Sequence, residues 1–208
     1  VMIDDKTITK EQAVVMNGAG VNLERFSFSP MPKDDITKFL FVGRVMEEKG
    51  VNELFDAIKK IKSEGIKTEF GFLGWFEEDY SQIIKDLEEK DYIKYYGYQK
   101  DVVKFMKEAH CIVLPSYHEG MANTLLESAS VGRPIITSDI YGCKEAVVDK
   151  KSGYLVKVQD KEDLYIKMKE FINLPYEQKV EMGKLARKHM EDNFDKNDVV
   201  NETIKQII

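Results

Sequence analysis

Cys111-Ile112-Val113-Leu114-Pro115-Ser116-Tyr117-His118-Glu119-Gly120-Met121-Ala122-Asn123-Thr124-Leu125-Leu126-Glu127 is the stretch that decides the fold. Its first four residues read as a short strand, the polar turn that follows ends it, and Asn123 to Val131 reads as a helix. After Gly132, Pro134 to Thr137 reads as the next strand. A strand–loop–helix–strand unit of this kind belongs to a parallel sheet.

The same alternation extends to both sides. Ile36 to Val42 reads as a strand, and Val51, Leu54, Phe55, Ile58 and Ile61 follow at helical spacing up to Gly65. Thr68 to Leu73 is a second strand, Tyr80, Ile83, Ile84 and Leu87 mark a second helix, and Tyr92 to Tyr96 is a third strand. Val102, Val103, Met106 and Ala109 form the helical stripe that leads into Cys111. Tyr154 to Val158 supplies a sixth strand, and beyond Lys161 only helical patterns remain, the first two separated by Pro175. Met182, Leu185 and Ala186 read as a core stripe of the second. Right-handed crossovers then make an α/β, Rossmann-like, doubly wound parallel sheet with a C-terminal helical segment. Residues 1–35, with Val14 and Val15 ahead of Asn17-Gly18-Ala19-Gly20, read as a connector docked on the domain. Residues 36–175 read as the sheet-bearing domain, and residues 176–208 as helices packed on it.

At 208 residues, 43% hydrophobic and 33% charged, the chain has the composition of a soluble globular protein and excludes disordered and fibrous classes. A net charge of −6 removes any global drive toward nucleic acid or anionic lipid. The two cysteines, Cys111 and Cys143, lack the spacing of a metal clip or redox pair and fit a reducing compartment, with Cys111 as a buried small hydrophobe. No apolar stretch approaches a membrane span, and Val1 to Asp5 carries no secretion signal, so a cytoplasmic location is expected. Neither metal-ligand spacing nor a nucleophile elbow around Ser116 occurs.

In a doubly wound sheet ligands bind beyond the carboxyl ends of the strands, which directs attention to the loops that follow them. Gly43-Arg44-Val45-Met46-Glu47-Glu48-Lys49-Gly50 places a planar guanidinium and a flexible ammonium in one loop, which suits a diphosphate. Taken alone, it also reads as a solvated loop in which both cations pair with Glu47 and Glu48. Glu119 and Glu127 flank a glycine and the first N–H groups of a helix, and both carboxylates can reach one extended ligand bearing vicinal hydroxyls. Taken singly, Glu119 also reads as a cap and Glu127 as a solvated helix residue. His118 reads as a surface group, and Trp75 as packing near the end of the second strand, with sugar stacking as the other option.

Phe41-Val42-Gly43-Arg44 with Lys49-Gly50, Gly97-Tyr98, Glu119-Gly120 to Glu127, Gly142-Cys143-Lys144-Glu145 and Ser152-Gly153-Tyr154-Leu155-Val156 occur in register. From about Gly18 to the C-terminus the chain resembles the donor-binding half of a retaining glycosyltransferase of the GT-B fold, family four, the glycosyl transferases group 1. The resemblance implies a nucleoside-diphosphate sugar donor, a UDP-sugar by expectation, as co-substrate, with no cofactor and no metal. It implies that Arg44 and Lys49 neutralise the diphosphate, that Glu119 contacts the transferred sugar, and that these three carry catalysis. Glu127 would hold the ribose, backbone near Tyr98 would frame the base, and the N–H groups of Met121, Ala122, Asn123 and Thr124, beside Gly43 and Gly120, would meet phosphate or sugar oxygens.

The family's acceptor, a glycan or lipid-linked molecule, is held mostly by a second Rossmann-like domain. Only one βα series is present here, so the sequence reads as an excised C-terminal domain that binds donor weakly and transfers little alone. Membrane contact, peripheral and on the inner face, is expected only of a full-length protein, and nucleic acid is not an expected partner. Other readings are a GT-B sugar-nucleotide epimerase or phosphorylase, and a non-catalytic nucleotide-binding module.

Overall fold

The computed structural model describes Thr9 and residues 18–207 of the chain; Val14, Val15 and Asn17 lie outside the described residues. Six strands form one parallel sheet: β1 (Thr37–Val42), β2 (Thr68–Leu73), β3 (Lys94–Tyr95), β4 (Cys111–Leu114), β5 (Ile135–Ser138) and β6 (Gly153–Val156). Among the described residues seven α-helices connect and follow them: α1 (Val51–Ser63), α2 (Ser81–Glu89), α3 (Val103–Glu108), α4 (Asn123–Ser130), α5 (Lys161–Asn173), α6 (Tyr176–Asn193) and α7 (Lys196–Ile207). The strand order is β3-β2-β1-β4-β5-β6. Crossovers therefore leave β1 in one direction and β4 in the other, which places α1 and α4 on opposite faces and opens a crevice between the two loops.

Register along β1 and β2 explains the core. Phe39 faces Phe70 and Phe41 faces Phe72, with ring centroids 5.3 and 5.2 Å apart. Phe171 of α5 meets Phe39 edge-on, and Phe55 of α1 meets Phe72, so both helices cover this face. On the other face, Phe105 of α3 rests on Tyr96 at 4.8 Å.

Two strands differ from their sequence reading. Tyr92 to Tyr96 pairs only over Lys94–Tyr95: the Tyr92 N–H is drawn to Leu87 O, and the Tyr95 N–H, on the free edge of the strand, is capped by Glu88 Oε1. The sixth strand begins at Gly153 and ends at Val156, where the Lys157 N–H turns to Asp163 Oδ2.

The connector docks through Val21, whose N–H donates to Phe194 O and whose carbonyl accepts from the Lys196 N–H. Arg133, fully buried, gives its guanidinium to five carbonyls: Met106, Lys107, Gly132, Ser29 and Pro30. It thereby fastens residues 29–30 to the end of α3. On α6 the packed stripe runs through Met182, Gly183, Ala186 and Met190, while Leu185 is exposed at 39%, which corrects its placement in the core stripe. The contact with α4 is narrow enough for Gly183 and Ala186, and Leu185 lies off to its side. Among the described residues no helix is long and apolar enough to cross a membrane.

Candidate functional site

The loops after β1 and β4 are locked together by backbone. Gly50 adopts φ +70°, and a Cβ there would lie 2.1 Å from Pro115 O, so only glycine permits the approach. The Tyr117 N–H donates to Glu48 O at 2.8 Å. These contacts lie where the strand order reverses, and they carry Lys49 across the crevice.

Lys49 Nζ consequently donates to Glu119 Oε1 at 2.6 Å, and Ser116 Oγ donates to the same oxygen at 2.8 Å. Their side chains are only 14% and 13% exposed, so the pair is largely desolvated. Lys49 thus pairs with neither Glu47 nor Glu48, and Glu119 does not cap α4, whose N-cap has no side-chain hydrogen bond.

Arg44 stands apart, 42% exposed, with Nη1 3.5 Å from Glu77 Oε1. Together with Gly43, Lys49, Trp75, Tyr98 and Gln99 it lines a cavity of about 600 Å³. The sequence placed Trp75 in packing near the end of the strand; instead it is 48% exposed and its ring centroid lies 5.6 Å from that of Tyr98. Its carbonyl accepts the Val45 N–H, which continues the β1–β2 pairing past the strands and holds the indole out at the rim. The Gly74 N–H donates to Gly97 O and Tyr95 Oη donates to Gly74 O, tying the loops after β2 and β3.

The tip of α4 offers fewer donors than the sequence implies. The Ala122 N–H is committed to Gly142 O at 2.7 Å and the Asn123 N–H to Met121 O at 2.9 Å. Those of Met121 and Thr124 meet no acceptor among the described residues, and nothing lies within 4 Å of the place a Cβ would take on Gly120. Gly142, at φ +87°, presses on this turn: a Cβ there would lie 2.5 Å from Glu119 O. Its N–H is held by Glu145 Oε2 at 2.8 Å. The loop after β5 is therefore the clasp that shapes the Glu119–Gly120 backbone.

Glu127, the fifth residue of α4, is half-buried rather than solvated, and its carboxylate has no hydrogen bond or ion pair among the described residues. Burial raises its pKa, opposed by the charge of Arg25 in the connector. The connector also reaches the tip itself, where Gly18 packs on Met121. His118 is exposed. Both thiols are fully buried; burial pushes Cys143 up to about 11 and Cys111 well above its ordinary value, so neither is a nucleophile.

Lys49 and Glu119 thus meet in the crevice beside the α4 tip with its unbonded N–H groups, while Arg44 faces the neighbouring cavity, which Lys49 also lines, and Glu127 sits a turn further into α4. That arrangement can hold a phosphate ester at the cations and accept from hydroxyls at the acids. Sequence reasoning missed Ser116 as a partner of Glu119, Glu77 as the partner of Arg44, and the clasp by Gly142; of these only Ser116, three residues before Glu119, had a local signal.

The family model for glycosyl transferases group 1 matches residues 24–189, most of the chain. The chain belongs to this family. Over 95% of its length the chain is 26% identical to the N,N'-diacetylbacillosaminyl-diphospho-undecaprenol alpha-1,3-N-acetylgalactosaminyltransferase of Campylobacter jejuni, of which it covers 54%. A glycosyltransferase from Rickettsia africae superposes with a TM-score of 0.85 at 18% identity, over 98% of this chain and 59% of that one. HepE of Anabaena in complex with UDP-glucose superposes with a TM-score of 0.79 at 15% identity, over 95% and 57%. The sheet is thus the Rossmann-like unit of GT-B glycosyltransferases. The chain spans about half the length of the curated relatives it matches.

Proposed function

We propose that this chain binds the donor, a UDP-sugar, for a retaining hexosyltransferase that acts on a glycan or lipid-linked acceptor. The observation that carries the reading is the Lys49–Glu119 contact of 2.6 Å beside the free N–H groups of the α4 tip, at the point where the strand order reverses. It sets a cation for phosphate and an acid for sugar within one side chain's reach. The UDP-glucose complex of HepE and the sugar transfer named for the Campylobacter relative support a UDP-hexose donor.

In this reading Arg44, Lys49 and the N–H groups of Met121 and Thr124 surround the diphosphate. Glu119, oriented by Lys49 and Ser116, accepts from hydroxyls of the transferred sugar. Glu127 accepts from the ribose, and the loop at Tyr98 frames the base. As the anomeric bond breaks, negative charge grows on the leaving diphosphate, and fixed cations and N–H donors stabilise it where it develops. Removing one such donor typically costs about 3 kcal/mol of barrier. Lys49 and Ser116 both donate to Glu119 Oε1, which leaves Oε2 for sugar hydroxyls; a retaining reaction would then run by attack on the face the diphosphate leaves, with a leaving-phosphate oxygen taking the acceptor's proton. Acceptor contacts would come from a second domain across the crevice.

Calorimetric titration with UDP and UDP-sugars tests the reading. Binding is expected for the chain as it stands and is expected to weaken at least tenfold in each of Arg44→Ala, Lys49→Ala and Glu127→Ala. Affinity that survives all three would place the nucleotide elsewhere.

A further inference from the structure

Glu77 divides its two carboxylate oxygens between two residues of the cavity. Oε1 lies 3.5 Å from Arg44 Nη1, and Oε2 accepts from Trp75 Nε1 at 3.1 Å. Its backbone is not free to drift, because the Glu77 N–H donates to Val45 O while the Val45 N–H donates to Trp75 O. The carboxylate is thereby presented, by an extension of the β1–β2 ladder, to the guanidinium that faces the cavity. Chemically it is a fixed anion at the place where a phosphate oxygen would bond Arg44.

We infer that Glu77 is a stand-in counter-ion for the donor diphosphate: it holds Arg44 and Trp75 until the donor arrives, and nucleotide binding exchanges it for phosphate at Arg44. This rests on the donor-binding reading above and adds to it a residue that sets affinity by competing for Arg44. The exchange spares Arg44 from standing unpaired before the donor arrives. It also makes release of the nucleotide product easier, since the cation it leaves is recaptured at once. The ion pair is half-exposed, so the competition is modest, and removing it is expected to tighten nucleotide binding about two- to fivefold.

Trp75 is the single tryptophan of the chain, so its fluorescence reports this site alone. Glu77→Gln keeps an acceptor for the indole but gives up the charge on Arg44, and at an exposed position it leaves the fold intact. UDP is titrated by fluorescence and calorimetry into the chain, Glu77→Gln, Glu78→Gln, Arg44→Ala and the double variant Arg44→Ala/Glu77→Gln. The expected result is a two- to fivefold gain for Glu77→Gln, none for Glu78→Gln, and no gain once Arg44 is gone. Unchanged or weaker binding by Glu77→Gln overturns the inference, as does an equal gain in Glu78→Gln or one that persists without Arg44, both of which signal bulk charge alone. Those results leave the donor reading standing. If the unaltered chain binds no UDP, the donor reading fails and this inference falls with it.

Discussion

Gly50 and Pro115 meet so closely that a Cβ on the first would stand 2.1 Å from the carbonyl oxygen of the second. That contact seats the loop carrying Lys49 on the loop carrying Glu119. Gly50→Ala is therefore expected to destabilise the fold by at least about 2 kcal/mol, from the left-handed backbone and the clash together. It should also weaken UDP binding, because the Lys49–Glu119 pair loses its frame. Urea unfolding and calorimetry on the same protein check both; a variant with unchanged midpoint and affinity would show that the loops seat themselves by other means.

Lys49→Ala tests the pair directly. It leaves Glu119 charged, 13% exposed, and held only by Ser116. A hydrogen bond to a charged group is worth about 1.5–3 kcal/mol, so UDP affinity should fall by about ten- to a hundredfold. Lys49→Arg restores the charge but not the compact reach of the ammonium, and is expected to recover only part of the binding.

Much of this frame is legible from residues alone, for identifiable reasons. Cys111 to Leu114 and Thr68 to Leu73 are bounded by turn residues and occupy the expected spans. Tyr92 to Tyr96 is less so, since the start of this edge strand depends on Leu87 O drawing off the Tyr92 N–H. Lys49 and Glu119 are each visible as candidates, but their contact links positions 70 residues apart and exists only through the sheet order. Arg44 and Glu77 lie on different loops with no spacing signal between them. The N–H groups of Ala122 and Asn123 could not be known to be committed, because their acceptors depend on the fold of the turn. Arg133 carries no signal in the sequence, and only the folded chain shows five carbonyls around it.

Arg133→Lys should accordingly be severe. The lysine keeps a charge but lacks the planar fork that serves Met106, Lys107, Gly132, Ser29 and Pro30 at 2.9–3.1 Å. Burial already lowers the guanidinium to about 10, so it remains charged at neutral pH. Several carbonyls would be left unbonded, at about 1–3 kcal/mol for each one buried. Loss of a cooperative urea transition, or a fall of on the order of 3 kcal/mol or more, is the expected result.

His110 makes stability depend on pH. The ring is 2% exposed, Nδ1 accepts the Lys38 N–H at 3.1 Å, and Nε2 then carries the proton donated to Pro32 O. Burial lowers its pKa from 6.5 to about 4. Between those values the unfolded chain binds the proton and the folded chain does not, so this contribution is complete above pH 6.5 and is lost as pH falls toward 4. The loss is on the order of 3 kcal/mol. Urea midpoints at pH 7, 5.5 and 4.5 should fall in sequence, and His110→Asn should flatten that part of the slope attributable to the imidazole.

Glu127 sets binding against stability. Its half-buried carboxylate has a raised pKa, so ionising it at neutral pH costs the folded state more than the unfolded one, and that cost grows as pH rises through the titration. Arg25 offsets only part of it. Glu127→Gln removes the charge at nearly the same volume and should raise the melting temperature at pH 7, with a smaller gain at pH 4, where the carboxyl is increasingly protonated. The same amide is a weaker acceptor for ribose hydroxyls, and UDP affinity should drop about tenfold. A variant that is both less stable and weaker in binding would instead make Glu127 a structural acid, with a partner in the fold that offsets its burial.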